Sequence, residues 1–148
     1  MAEPSGGPLV IFDCNGVLVD SKPIAAAVLA EASSSPPNRI RTSLEVTGLL
    51  RFFEPRLFSA SDVRKGKPAP DLFLLAAERS EVAPTQCIVV EDSAPGIAAA
   101  HAAGMTPIGF VGGSQTPGRL ASELLANGAR AVVADMRTLK NAITDLRG

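Results

Sequence analysis

The chain has no tryptophan and no tyrosine, and six phenylalanines are its only aromatic residues. Its core must therefore be built from aliphatic side chains, and the many alanines suggest closely spaced elements. It has two cysteines, Cys14 and Cys87, too few for a disulfide framework. Both lie in or beside apolar runs, which predicts buried thiols in a reducing compartment. There is one histidine, His101, in the middle of an alanine-rich helical stretch. That position suits a helix surface or the C-terminal end of the dipole, so Ser-His-Asp chemistry fits poorly. No basic block or stripe accompanies the formal net charge of -1, which argues against nucleic acid or an anionic membrane as the main partner. The longest apolar run, "IAAAVLA", is far short of the roughly 20 residues that span a bilayer. The start "MAEPSGGP" lacks the basic region and apolar core of a signal peptide. A soluble, cytoplasmic protein is expected. No internal repeat and no linker break the chain, and its 148 residues suit one domain over 1–148 that buries roughly 70% of its unfolded surface.

What is present alternates. Short apolar runs are followed by helical patterns, as in a parallel sheet covered by helices. "PLVIFD" (Pro8 to Asp13) is continuously apolar and β-branched, like a strand buried on both faces. "RLFSA" near Phe58 reads as a weaker strand, and "CIVVED" (Cys87 to Asp92), "TPIGFV" and "AVVAD" as further ones. Between them "PDLFLLAAERS", "SAPGIAAAHAAGM" (closed by Gly104), "RLASELLANG" and "TLKNAITDL" read as helices. "SSSPPN" (Ser33 to Asn38) is loop material by composition. One segment stays open: "KPIAAAVLAEA" (Lys22 to Ala32) has helix-favouring composition, yet stands where the alternation calls for a strand. "GFVGGSQTPG" lacks the spacing of the dinucleotide fingerprint and reads as a mobile loop.

In open α/β sheets ligands bind outside the carboxyl ends of the strands. Two strands end there in acids, "VIFD" in Asp13 and "CIVVED" in Glu91 and Asp92. Carboxylates gathered at one edge repel each other unless a cation sits among them, and hard oxygen donors favour Mg²⁺. Asp135, which ends "AVVAD", reads instead as a surface or capping residue. Ser33, Ser34 and Ser35 can offer hydroxyls and N–H groups to phosphate oxygens. Lys67, set before a proline in "KGKPAPD", could offset phosphate charge. A signalling receiver domain also gathers acids, a hydroxyl and a lysine at a sheet edge. Here, however, Lys67 precedes Glu91 and Asp92, and "GKPAPD" has no receiver counterpart.

Together these motifs resemble the haloacid dehalogenase (HAD) superfamily, and within it the β-phosphoglucomutase and sugar-phosphatase branch. "DCNGVLVDS" (Asp13 to Ser21) is similar to that branch's first motif, and "ASSS", at Ser33, to its second. "GKPAPD", with Lys67, is similar to the third, and "VEDSAPGIAAAHAAGM" to the fourth. The resemblance runs from Leu9 onward. It implies a three-layer, Rossmann-like α/β core with a mainly parallel sheet and helices on both faces. It also implies an Mg²⁺-dependent phosphohydrolase acting on small phosphorylated metabolites as a monomer or homodimer. Asp13 would be the nucleophile that forms an aspartyl-phosphate. The metal would be held by Asp13, the backbone carbonyl of Asn15 and Asp92, with Glu91 beside it or just behind. Ser33 and Lys67 would bind the transferring phosphoryl group, helped by Ser34, Asn15 and Gly16.

The chain departs from the family pattern twice. Phosphatases of the branch carry a second aspartate at Asn15, which protonates the leaving group and then activates water. An amide does neither, and losing a general acid–base typically costs on the order of 10²–10⁴ in rate. Second, a helical cap normally inserts between the first two motifs, and the residues around 22 to 32 are too few to hold it. A capless core, natural or engineered, is the expectation. It would work slowly on small phosphomonoesters, or else bind phosphate and metal without turnover.

Overall fold

A computed structural model describes residues 9–13, 28–33, 37–48 and 50–147. Among the described residues six strands form one sheet: β1 (Leu9–Asp13), β2 (Val28–Ser33), β3 (Leu57–Ser59), β4 (Cys87–Glu91), β5 (Thr106–Phe110) and β6 (Ala131–Val133). Their order is β3-β2-β1-β4-β5-β6, and every pairing is parallel. From β1 the chain steps outward through β2 to β3, then returns to lie beside β1 as β4 and steps outward the other way. The reversal between β1 and β4 is the switch point at which such sheets bind ligands.

Strand residues alternate between two faces, and both are covered. Val10, Phe12, Ile88, Val90, Ile108 and Phe110 point to one layer. There they meet α1 (Pro37–Thr47) through Ile40 and Leu44, α2 (Leu50–Phe53) through Phe53, and α6 (Met136–Arg147) through Leu139 and Ile143. Leu9, Ile11, Cys87 and Val89 point the other way, onto α3 (Asp71–Arg79) and α4 (Ala94–Ala102). On that same side α5 (Pro117–Ala126) seats Leu124 against Ile97 and over Gly109, where a Cβ would press into Leu124. The expected three-layer α/β core is the observed one. Alanines line much of the α3–α4 layer, namely Ala30, Ala32, Ala76, Ala77, Ala99 and Ala100, so helix and sheet approach closely without aromatic bulk.

Local chemistry sets the helix ends. Ser93 caps α4 by accepting from the Gly96 N–H at 3.3 Å, and Pro95 lies in its first turn. Gly104, at φ +80, leads the chain away from α4 as expected of a residue closing that helix. Asp135 accepts from the N–H and hydroxyl of Thr138, both at 2.8 Å, and so caps α6, as its capping reading requires.

One open segment is settled and one expectation changes. The helix-favouring stretch up to Ala32 is a strand over Val28–Ser33, held by a full parallel register to β1 (Leu9 with Val28 through Phe12 with Glu31). Sheet pairing on both sides of β2 outweighs the modest helix preference of alanine and leucine; the earlier part of that stretch lies outside the described residues. "SSSPPN" is not loop throughout. Ser33 ends β2, whereas Pro37 and Asn38 open α1, where a proline in the first turn gives up no intrahelical bond. Neither α1 nor α2 has an apolar repeat plain enough to read beforehand.

Candidate functional site

The carboxyl ends of β2, β1 and β4 lie side by side. Asp13 pairs in register with Glu91 on β4, and Ala32 follows the Glu31–Phe12 pair on β2. The residues flanking Asp13 on its two sides are thus Ala32 and Glu91. Both are held by one side chain, Lys67, whose Nζ donates to Glu91 Oε2 at 2.9 Å and to the Ala32 carbonyl at 3.3 Å. Lys67 arrives from the loop between β3 and α3, and its peptide bond to Pro68 is cis. The Lys67 and Glu91 side chains are 6% and 1% exposed, so this is a buried ion pair. The ammonium also lies over the Phe73 ring, 4.9 Å from its centroid.

Glu91 is fully engaged. Its Oε1 accepts from the Asp92 N–H at 3.1 Å, the Ser93 N–H at 3.2 Å and the Ser93 hydroxyl at 3.0 Å. The start of α4 lies hard against it, because a Cβ placed at Gly96 would fall on the carboxylate itself. Glycine is required there for space. Burial lowers the Lys67 ammonium from its ordinary range, and the Glu91 and Asp92 charges oppose that shift. Burial, then the neighbouring Glu91 charge, push Asp92 up to about 6. Asp92 is nonetheless exposed and still ionises at neutral pH, and an adjacent cation would draw its pKa back down.

Among the proposed site residues, Lys67, Glu91, Asp92 and the backbone of Asp13 meet at this edge. Ser33 is next to Ala32 on β2, 6% exposed and in register with the equally buried Ser59 on β3. Asn15, Gly16 and Ser34 lie outside the described residues, and of Asp13 only the backbone is described. Among the described residues no three His, Cys, Asp or Glu side chains gather as an ion-binding group. Ser93, Gly96 and Phe73 were not singled out by sequence. Ser93 and Gly96 stood within the fourth motif with no role of their own, and Phe73 among the apolar residues of a helix. His101 is exposed in the last turn of α4, and Cys87 is buried, both as expected.

The profile of the haloacid dehalogenase-like hydrolase family matches residues 27–104. A fructose-1-phosphate phosphatase of Escherichia coli is 51% identical over 61 residues, covering 41% of this chain and 32% of the relative. A β-phosphoglucomutase of Mycobacterium bovis is 38% identical over 121 residues, covering 78% and 45%. The crystal structure of a HAD family hydrolase from Deinococcus radiodurans, with bound phosphate and sodium, superposes with a TM-score of 0.72 at 33% identity. That match covers 79% of this chain and 52% of the other. The chain therefore spans between a third and about half of the length of these relatives. Among the described residues no helix is long and apolar enough to cross a membrane. From the switch-point edge to the matched profile, the chain belongs to the haloacid dehalogenase-like hydrolases.

Proposed function

We propose that this chain is the core of an Mg²⁺-dependent phosphohydrolase for small phosphorylated, sugar-phosphate-like metabolites. The observation that carries this reading is the buried Lys67–Glu91 pair, whose two ends hold the residues flanking Asp13 at the switch point. Asp13 serves as nucleophile. Its carboxylate oxygen bonds to phosphorus as the ester oxygen departs, giving an aspartyl-phosphate that water then cleaves. Lys67 faces the phosphoryl oxygens and offsets their charge, while Ser33 and Ser34, with backbone N–H groups near Asn15 and Gly16, orient them. Asp13, the Asn15 carbonyl and Asp92 form an all-oxygen donor set, which suits a small hard cation. An adjacent cation would lower the raised Asp92 carboxyl toward its ordinary range, which fits that role. When bound, Mg²⁺ supplies positive charge that offsets an anionic nucleophile meeting an anionic ester. Glu91 sits behind this set as the partner of Lys67, since its oxygens are already taken.

Asn15 sets the limit on this chemistry. Its amide neither protonates the leaving oxygen nor takes a proton from water, so turnover falls while phosphate and metal are still bound. The same residue favours a second reading, a core that binds phosphate and metal without turnover. Only residues 14–27 join β1 to β2, too short a span for a helical cap at that point. The site would then be open to water and weakly selective among small phosphomonoesters. A cytoplasmic setting goes with such substrates.

The deciding experiment compares the chain with its Asn15→Asp variant, in Mg²⁺, on an activated aryl phosphate and a panel of sugar phosphates. A gain of about 10²-fold or more in the variant supports the phosphatase reading. A folded variant with no gain and no Asp13-dependent turnover removes it, and retained phosphate binding would then leave the binding core. Asp13→Asn must abolish whatever activity is seen.

A further inference from the structure

We propose that Phe73 is a positioning residue for Lys67, its ring face holding the ammonium at the sheet edge where a phosphoryl group would meet it. This rests on the phosphate-binding role given to Lys67 above. Phe73 is fully buried in the α3–α4 layer, a place where an aliphatic side chain would serve packing. What an aliphatic side chain lacks is the negative ring face, and the Lys67 Nζ lies over that face at 4.9 Å.

Among the ammonium's other partners are oxygens at 2.9 and 3.3 Å, one on β4 and one on β2. The ring thus adds a support from α3 to those from β4 and β2. A buried ammonium has given up much of its hydration, which is the condition under which an aromatic face interacts with it most strongly. Without the ring, Lys67 would lose its support from α3. The ammonium would then settle further onto the carboxylate, leaving less of its charge for an incoming anion.

The test separates the ring's charge from its shape. Phenylalanine at 73 is replaced by its mono-, di- and trifluoro analogues, which keep the volume while progressively weakening the negative face. Orthophosphate affinity is measured in Mg²⁺ alongside thermal stability. In parallel, Lys67 is followed by NMR in lysine-labelled protein, where a proton-bearing carbon above a ring is shifted upfield. The expected result is a stepwise loss of orthophosphate affinity with fluorine count, on the order of tenfold across the series, at nearly constant stability. The upfield Lys67 signals should return to ordinary lysine positions in Phe73→Leu. Constant affinity across the fluorinated series overturns the proposal, and so do ordinary Lys67 shifts in the unmodified chain. If the unmodified chain binds no orthophosphate, the role of Lys67 fails, and the NMR comparison alone decides whether Phe73 holds it.

Discussion

Gly96→Ala should unseat Glu91. The backbone at Gly96 is ordinary helix near the start of α4, so alanine there would by itself favour the helix by up to ~1 kcal/mol. Its Cβ, however, would occupy the space of the Glu91 carboxylate, and a side chain 1% exposed has no free volume to move into. Rotating Glu91 away breaks its ion pair with Lys67 and the bonds from the Asp92 N–H, the Ser93 N–H and the Ser93 hydroxyl. Breaking a buried charge pair costs about 3–5 kcal/mol, so the net loss should be roughly 2–4 kcal/mol after the helix gain. For a domain of this size that corresponds to a melting temperature lower by roughly 5–15 °C, read by calorimetry or urea titration. The control is a background with Lys67→Met and Glu91→Ala, where no carboxylate opposes the new methyl. There Gly96→Ala should be neutral or slightly stabilising. An equal loss in both backgrounds, or no loss in either, would refute the account of why this residue is glycine.

Three further outcomes follow from other parts of the molecule. Phe53, fully buried and edge-on to Phe12 at 5.9 Å, is the anchor of the short helix α2, and Phe53→Ala should cost about 3–5 kcal/mol in urea unfolding. Asp135→Ala should lower the melting temperature by uncapping α6. Hydrogen bonds from Thr138 hold the Asp135 carboxyl below its ordinary range, so its contribution is complete above the unfolded aspartate range and is lost as pH falls through the lower folded value. The melting gap between the two proteins should therefore be present at pH 7 and close in acid. Burial pushes the Cys87 thiol up to about 11, so in the native protein it should resist iodoacetamide at pH 8 and react once unfolded in urea, as read by peptide mass mapping.

The parts of the fold legible beforehand are those written in consecutive residues. β1 and β4 are unbroken apolar runs because both faces of a central parallel strand are covered, and α4 announces itself through Ser93, Pro95 and Gly104. β2 was not legible, because Val28–Ser33 carries residues that suit a helix and becomes a strand only beside β1. The site divides in the same way. Asp13, Lys67, Glu91 and Asp92 sit in short ordered motifs and could be chosen from the chain alone. Their pairing could not be, since Lys67 and Glu91 are separated by 24 residues and Lys67 and Ala32 by 35. The lysine read as offsetting phosphate charge also pairs with the Glu91 carboxylate.

That pairing alters the electrostatic view of Asn15. In the proposed site the charge of Lys67 is shared with Glu91, and Asp13 and Asp92 would be the acids that face the cation. An aspartate at position 15 would make three, all opposing an anionic ester, and a divalent ion would offset only two. With Asn15 the acids and the ion balance, so the edge gives up proton transfer while becoming less repulsive to phosphate. Orthophosphate should accordingly bind Asn15→Asp more weakly than the unmodified chain at equal Mg²⁺, even as the variant turns over esters faster. Equal or tighter binding by the variant would mean that charge at this position does not set anion affinity, and that Asn15 acts through lost proton chemistry alone.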